Sequence, residues 1–301
     1  MRVAPVEPGA QESRDVFAGR RPLILNRLRL PPAWKVLVLA PHPDDFDAVG
    51  ITLRLLQFRG HAIYVCVLGS GASGVEDAFC SPPLREIKTR LRQIEQRESC
   101  RFFGLPASRL TFLRLAEDAT GEVAETLTNL QRLRQHVEST VPDLIILPHG
   151  NDTNAGHHRT WAMVRNITAG MGRPWAFLLH EDPKTVALRR DAVTLFSAEE
   201  AAWKGRLLRF HSSQQARNMA TRGHGFDERI LRVNRNAFGE VRSLVGKTEA
   251  RYAEAFELRL AGDPEPAAPV SPPARRAPPP SKARAAGARR GSRFPAGRRR
   301  P

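Results

Sequence analysis

The sequence predicts an α/β fold, a Rossmann-like three-layer sandwich with a mostly parallel central sheet. Two observations predict it. Short apolar runs such as Lys35-Val-Leu-Val-Leu-Ala40 and Asp143-Leu-Ile-Ile-Leu-Pro148 alternate with segments whose apolar residues recur at helical spacing. Strands of a parallel sheet read as uninterrupted apolar runs because helices cover both faces.

Taken in order, residues 1 to about 33 are rich in Arg and Pro, show no sustained period and end at Pro31-Pro32, which predicts an N-terminal arm. Lys35 to Ala40 is the first long strand, stopped by Pro41, and Ala48 to Phe58 has helical spacing. Ala62 to Leu68 reads as the second strand. Leu84 to Phe103 reads as a charged amphipathic helix closed by Gly104, and Leu110 to Leu115 as a third strand. Val123 to Thr140 is helical and Asp143 to Pro148 is the fourth strand. Ala176 to His180 and Thr185 to Leu188 read as late strands, Ala198 to Phe210 as a helix, and Asp227 to about Leu260 as further helix. One folded domain, 34–260, is therefore expected. Beyond Gly262 the chain is Pro, Ala and Arg with almost no large apolar side chain, which cannot offset its ordering entropy, so 261–301 is expected to be a disordered basic tail.

An apolar fraction of 41% over 301 residues is enough for a real core. The net charge of +16 would suggest a polyanion-binding fold if it were evenly spread. It is not: the segment from Asp263 to Pro301 has nine Arg and one Lys against Asp263 and Glu265, a net +8, half of the total. The tail could touch acidic surfaces, but its one aromatic residue, Phe294, gives no basis for stacking on nucleic-acid bases. Cys66, Cys80 and Cys100 follow neither a disulfide nor a zinc-finger spacing, so free thiols in a reducing compartment are expected. The first thirty residues contain no secretory apolar stretch and no spanning segment, which places the chain in the cytoplasm.

In an open parallel sheet, ligands gather beyond the carboxyl ends of the strands. Two such loops are unusual: Pro41-His42-Pro43-Asp44-Asp45-Phe46-Asp47 after the first strand, and Pro148-His149-Gly150-Asn151-Asp152-Thr153-Asn154-Ala155-Gly156-His157-His158-Arg159 after the fourth. Three carboxylates within four residues repel one another unless a cation sits among them. A mixed His and carboxylate set suits Zn²⁺ better than Mg²⁺ or Ca²⁺. The alternative is that these residues only cap a helix and shape turns.

These residues resemble the PIG-L/LmbE-like family of zinc-dependent N-acetylglucosaminyl deacetylases, whose first signature is Ala-His-Pro-Asp-Asp-Glu. The resemblance runs from about Lys35 to about Arg235 and includes Lys204 to Gln214, similar to the family's Lys-x-x-Ala-x-x-x-His-x-Ser-Gln element. It implies metal ligation by His42, Asp45 and His157 and a general base at Asp44. It further implies hydrolysis of an N-acyl group, above all N-acetyl, from an amino sugar or glycoconjugate. The second loop departs from the pattern, with Asn154 where a His is usual and Gly156 where an Asp often precedes the ligand His. Asn154 can donate a hydrogen bond to an oxyanion but cannot carry a proton, which leaves Asp44, His149, His158 or His211 for the second proton transfer.

His158 competes with His157 for the ligand position, one residue out of register. Asp152 is read as orienting a ligand His or an active-site Arg, or as closing an Asx-turn. It is placed with His211 among the substrate-binding residues. Asp47 is a helix cap or a support behind the ligands. Gly69 to Gly74 could offer amides to an anion or serve as a turn, and the helix from Lys88 to Arg101 is expected to be a solvated face. Two further readings stay open: a binding protein that has lost turnover, and an amidase acting on a non-sugar metabolite.

Overall fold

The computed structural model describes residues 15–260 and 263, residue 174 excepted. In chain order it contains β1 (Leu23–Ile24), β2 (Lys35–Ala40), α1 (Gly50–Phe58), β3 (Ala62–Val67), α2 (Arg85–Phe103), β4 (Leu110–Phe112), α3 (Leu127–Thr140) and β5 (Leu144–Pro148). There follow α4 (Ala155–Ala169), β6 (Ala176–His180), β7 (Ala192–Phe196), α5 (Ala198–Leu208), α6 (Ser212–Arg222), α7 (Phe226–Val245) and β8 (Tyr252–Leu260). The strands form one sheet in the order β1-β7-β8-β6-β5-β2-β3-β4. All pairings are parallel except those of β8, which runs antiparallel to β6 and β7.

Side chains of successive strand residues point to opposite faces. Val36, Val38 and Ala40 of β2 enter one core with Leu53 and Leu56 of α1 and Cys100 and Phe103 of α2. Leu37 and Leu39 enter a second core with Leu133 and Val137 of α3 and Met163, Val164 and Ile167 of α4. The three-layer α/β sandwich expected from the apolar runs follows from that division.

Three segments differ from the sequence reading. Thr185 to Leu188 is not a strand; it holds an isolated bridge between Thr185 and Asp152. The strand lies further on, at β7. The helical pattern expected up to Leu260 stops at Val245, and β8 is a strand although its Ala, Glu, Leu and Arg residues favour helix. Tertiary pairing on both edges overrides that preference. Within the segment read as an arm, Phe17, Leu23 and Leu25 are buried, and β1 pairs with β7. Arg59 donates to the carbonyls of Leu25 at 2.9 Å and Leu28 at 2.7 Å. Residues 1–14 and the tail, apart from Asp263, lie outside the described residues.

Glu254 of β8 explains why α1 begins where it does. Its carboxylate accepts the backbone N–H groups of Ile51 at 3.0 Å and Thr52 at 2.7 Å, so an anion from the sheet caps the helix N-terminus. Lys204 neutralises it at 2.6 Å and also donates to the Ala48 carbonyl and to Asn234. Both side chains of the pair are fully buried. Removing one partner leaves an uncompensated buried charge, so Lys204→Met is expected to lower the unfolding free energy by about 3–5 kcal/mol in denaturant titrations. The double variant Lys204→Met/Glu254→Gln should recover part of that loss.

Order in the sheet also places the chemistry. From β2 the chain moves to β3 on one side, whereas β5 pairs with β2 on the other. The loops after β2 and β5 thus open side by side at a topological switch point, where open α/β sheets form their crevice.

Candidate metal centre

His42, Asp44, Asp45 and Asp47 lie on the turn that leaves β2, and His157 is the third residue of α4, which follows β5. Asn154 caps α4: its Oδ1 accepts the Gly156 N–H at 2.9 Å, while Asp152 accepts the Asn154 N–H at 2.6 Å. This cap aims His157 at the other loop. His157 Nε2 lies 3.3 Å from one Asp45 oxygen, and His42 Nδ1 lies 3.5 Å from the other. One potential ligand atom from each of His42, Asp45 and His157 lies within 4.8 Å of the other two. Asp182 joins Asp152 and His157 in an adjoining acidic group of the same kind.

The outer nitrogens of both rings face carboxylates. His42 Nε2 sits 2.8 Å from Glu122, and His157 Nδ1 sits 3.3 Å from Asp152, off hydrogen-bond alignment. Metal-binding histidines use such partners to fix ring orientation and tautomer.

Electrostatics point the same way. Burial alone would lower the pKa of His42, but Asp45 and Glu122 hold it up at about 9. For His157, too, burial is outweighed by Asp45 and Asp152, and its pKa is raised. Burial would raise Asp45, yet His157 and His42 bring it well below the ordinary carboxylate range. A buried site whose acids draw protons onto two imidazoles is built to hold positive charge. A divalent cation would meet that demand and displace those protons. The donor set fits such an ion: two imidazoles and one carboxylate, with a second carboxylate oriented beside them.

That second carboxylate is Asp44, whose backbone has φ +124°, a strained value for any residue but glycine. Helix α2 holds it there. Arg92 donates to the Pro43 carbonyl and, at 2.8 Å, to the Asp44 carboxylate, while Gln96 Oε1 accepts the Asp44 N–H at 3.0 Å. Gly71 (φ +65°) permits this packing, because a Cβ there would stand 2.7 Å from Pro43. The expectation that Lys88 to Arg101 is a solvated face is therefore corrected: Arg92, Gln93, Glu95, Gln96 and Ser99 are buried. Arg92 pairs with Glu95, Gln96 with Ser99, and Arg92 and Gln96 also with the loop after β2, while Glu95 accepts from Ser212 and Ser213 at the start of α6.

Residues 37–168 match the family profile described as PIG-L: GlcNAc-PI de-N-acetylase. This segment is a PIG-L family domain. No curated protein matches the chain in sequence. Among solved structures, the N,N'-diacetylchitobiose deacetylase of Pyrococcus horikoshii is similar, with a TM-score of 0.60 at 17% identity over 75% of this chain and 84% of that one. A deacetylase from the teicoplanin biosynthesis pathway gives 0.56 at 15% identity over 76% of this chain and all of that one. GalB of Pseudomonas putida KT2440, a 4-carboxy-2-hydroxymuconate hydratase, gives 0.59 at 16% identity over 78% of this chain and all of that one. At such identities the likeness is one of fold, and the fold carries more than one chemistry.

In the PIG-L domain and the helices after it, a cavity of about 280 Å³ is lined by His42, Asp44, Asp45, Asn154 and His157. It is not lined by Asp152 or His211, the two residues read from sequence as substrate-binding. Asp152 stands behind His157. His211 is fully buried and bonds Asp47 at 2.7 Å, so it braces the turn that bears the carboxylates. His158 is exposed and bonded to the Gly150 carbonyl, whereas it is His157 whose ring nitrogen converges with His42 and Asp45. His149 faces Glu257, away from the cavity.

Sequence reasoning missed Glu122 and the role of Arg92. Glu122 comes from the irregular stretch before α3, with no spacing to mark it. Gly156 makes room for it: a Cβ at 156 would lie 2.2 Å from the Glu122 carboxylate and 2.9 Å from the His42 ring. The acid missing at 156 is thus replaced in space by one from another loop. Glu122→Gln is expected to weaken metal binding by about 10- to 100-fold in a chelator competition. Gly156→Ala should act in the same direction by displacing Glu122.

Proposed function

We propose that the chain is a zinc-dependent N-deacetylase acting on an N-acetylated amino sugar or glycoconjugate. The observation that carries this reading is the meeting of His42, Asp45 and His157 beside the Asp44 carboxylate. The description of the matched family and the deacetylases that share the fold support it. Two imidazoles and a carboxylate favour zinc over magnesium or calcium, which prefer oxygen donors. When bound, zinc supplies Lewis acidity, polarising the amide carbonyl and acidifying the attacking water.

The remaining steps belong to this chain's side chains. Asp44 takes the proton of the attacking water: burial raises its proton affinity against the pull of Arg92, which also fixes its orientation. Asn154 has its Oδ1 committed to the α4 cap, so what it offers the cavity is its amide NH₂, a donor to the oxygen on which negative charge develops. Among the described residues, the histidines lining the cavity are His42 and His157, both assigned to the metal. Asp44 therefore returns the proton to the departing amine as the C–N bond breaks, releasing acetate and a primary amine.

The folded unit proposed to carry this reaction is residues 34–260 together with the buried part of the segment before it, whose strand β1 joins the same sheet. A cytoplasmic setting is consistent with three free cysteines. Among the described residues no helix is long and apolar enough to cross a membrane.

Zinc-loaded protein incubated with a panel of N-acetylated sugars should release amine and acetate in equal amounts. Full zinc occupancy with no product from any substrate would favour a binding protein of this fold. Product only from N-acyl compounds without a sugar would favour the amidase reading.

A further inference from the structure

The cavity has acids at its buried end and cations at its more exposed end. The acids are engaged: Asp45 with both ligand histidines, Glu122 with His42, Asp44 with Arg92, and Asp182, next to the cations, with the backbone N–H of Lys184 at 3.0 Å. Lys184, Arg217, Arg222 and Arg229 also line the space. Arg217 faces Glu76 at 3.4 Å, a half-exposed pair. Among the described residues Lys184, Arg222 and Arg229 have no ion-pair partner. Their placement is costly. Burial lowers the pKa of Arg229, and the charges of Arg222 and Arg217 lower it further against Asp182 and Asp152. Arg229 also sits in the first turns of α7, at the helix end that favours anions over cations. Like charges gathered from the end of α6, the start of α7 and the loop after β6 describe a receptor for negative charge.

We propose that Lys184, Arg217, Arg222 and Arg229 form a subsite for an anionic group, a phosphate or a carboxylate, carried by the substrate on the far side of its N-acyl sugar. The inference rests on the deacetylase reading for the sugar and adds to it a charge preference in the rest of the substrate. Arginine's planar fork suits both anions in two-point contacts.

The test uses sugars that cannot be consumed. Calorimetry on zinc-loaded protein compares glucosamine with glucosamine 6-phosphate and with muramic acid, which carries a carboxylate. The subsite predicts binding about 10- to 100-fold tighter for at least one anionic sugar, weakening with added salt. Which of the two gains identifies the anion. Arg222→Gln/Arg229→Gln should collapse the ratio towards one while zinc content stays stoichiometric, and Arg229→Lys should retain part of it. If the double variant does not fold, Arg222→Gln alone, exposed at the end of α6, reads the same ratio. Equal affinities for neutral and anionic sugars in the wild-type protein overturn the proposal. A clear preference here, combined with no amine or acetate released from the N-acetylated panel, keeps the subsite and removes the deacetylase reading, so the two failures are distinguishable.

Discussion

Asp44→Asn is expected to leave zinc bound and remove about 10²- to 10⁴-fold of the turnover, the range that a positioned general base contributes. Asn is the right replacement for a structural reason. At φ +124° a side chain is strained, and Asn tolerates positive φ better than most residues. It keeps an oxygen for Arg92, which retains its second carboxylate partner, Glu95, at 2.9 Å. The backbone contacts from Arg92 and Gln96 do not depend on the side chain at 44. Metal content, measured by elemental analysis, and thermal unfolding should therefore stay near wild type while kcat falls. A variant with unchanged kcat would remove Asp44 from the proton-transfer role, whatever the metal does.

How much of this was legible beforehand depended on whether a residue's job is local. β2, β3, β5 and β6 announce themselves because a strand buried on both faces must be apolar along its length. The loops after β2 and β5 could be found from that alone, and His42, Asp45 and His157 meet where adjacent parallel strands place them. β8 was illegible for the opposite reason. Its Glu254, Glu257 and Arg259 are buried, and their pairing draws on partners remote in sequence, Lys204 for Glu254 and His149 for Glu257, besides the Glu257–Arg259 pair within the strand. Glu122 has the same character, since its significance lies in a gap left by Gly156. Arg92 did carry a signal. Polar residues at 92, 95, 96 and 99 recur at helical spacing, a polar stripe that could mark a buried functional face as well as a solvated one.

The metal is where the largest single effect is expected. His157→Ala should reduce bound zinc from about one per chain to a small fraction, and activity should fall by about a thousand-fold or more, the scale of several kcal/mol of lost charge stabilisation. His158 cannot take over, being exposed and bonded to Gly150 on the other side of the helix start. The substitution also leaves Asp45, Asp152 and Asp182 facing one another without the imidazole that separates them. Like-charge repulsion should then lower the melting temperature of the variant more than loss of zinc lowers that of the wild-type protein. Asp152→Asn provides the contrast, because it removes the partner of the outer nitrogen and keeps the ligand. Zinc affinity should fall by about 10- to 100-fold, with activity restored at high zinc. A His157→Ala protein that held zinc as tightly as wild type would show that α4 contributes no ligand, and the hydrolytic reading of the cavity would lose its foundation.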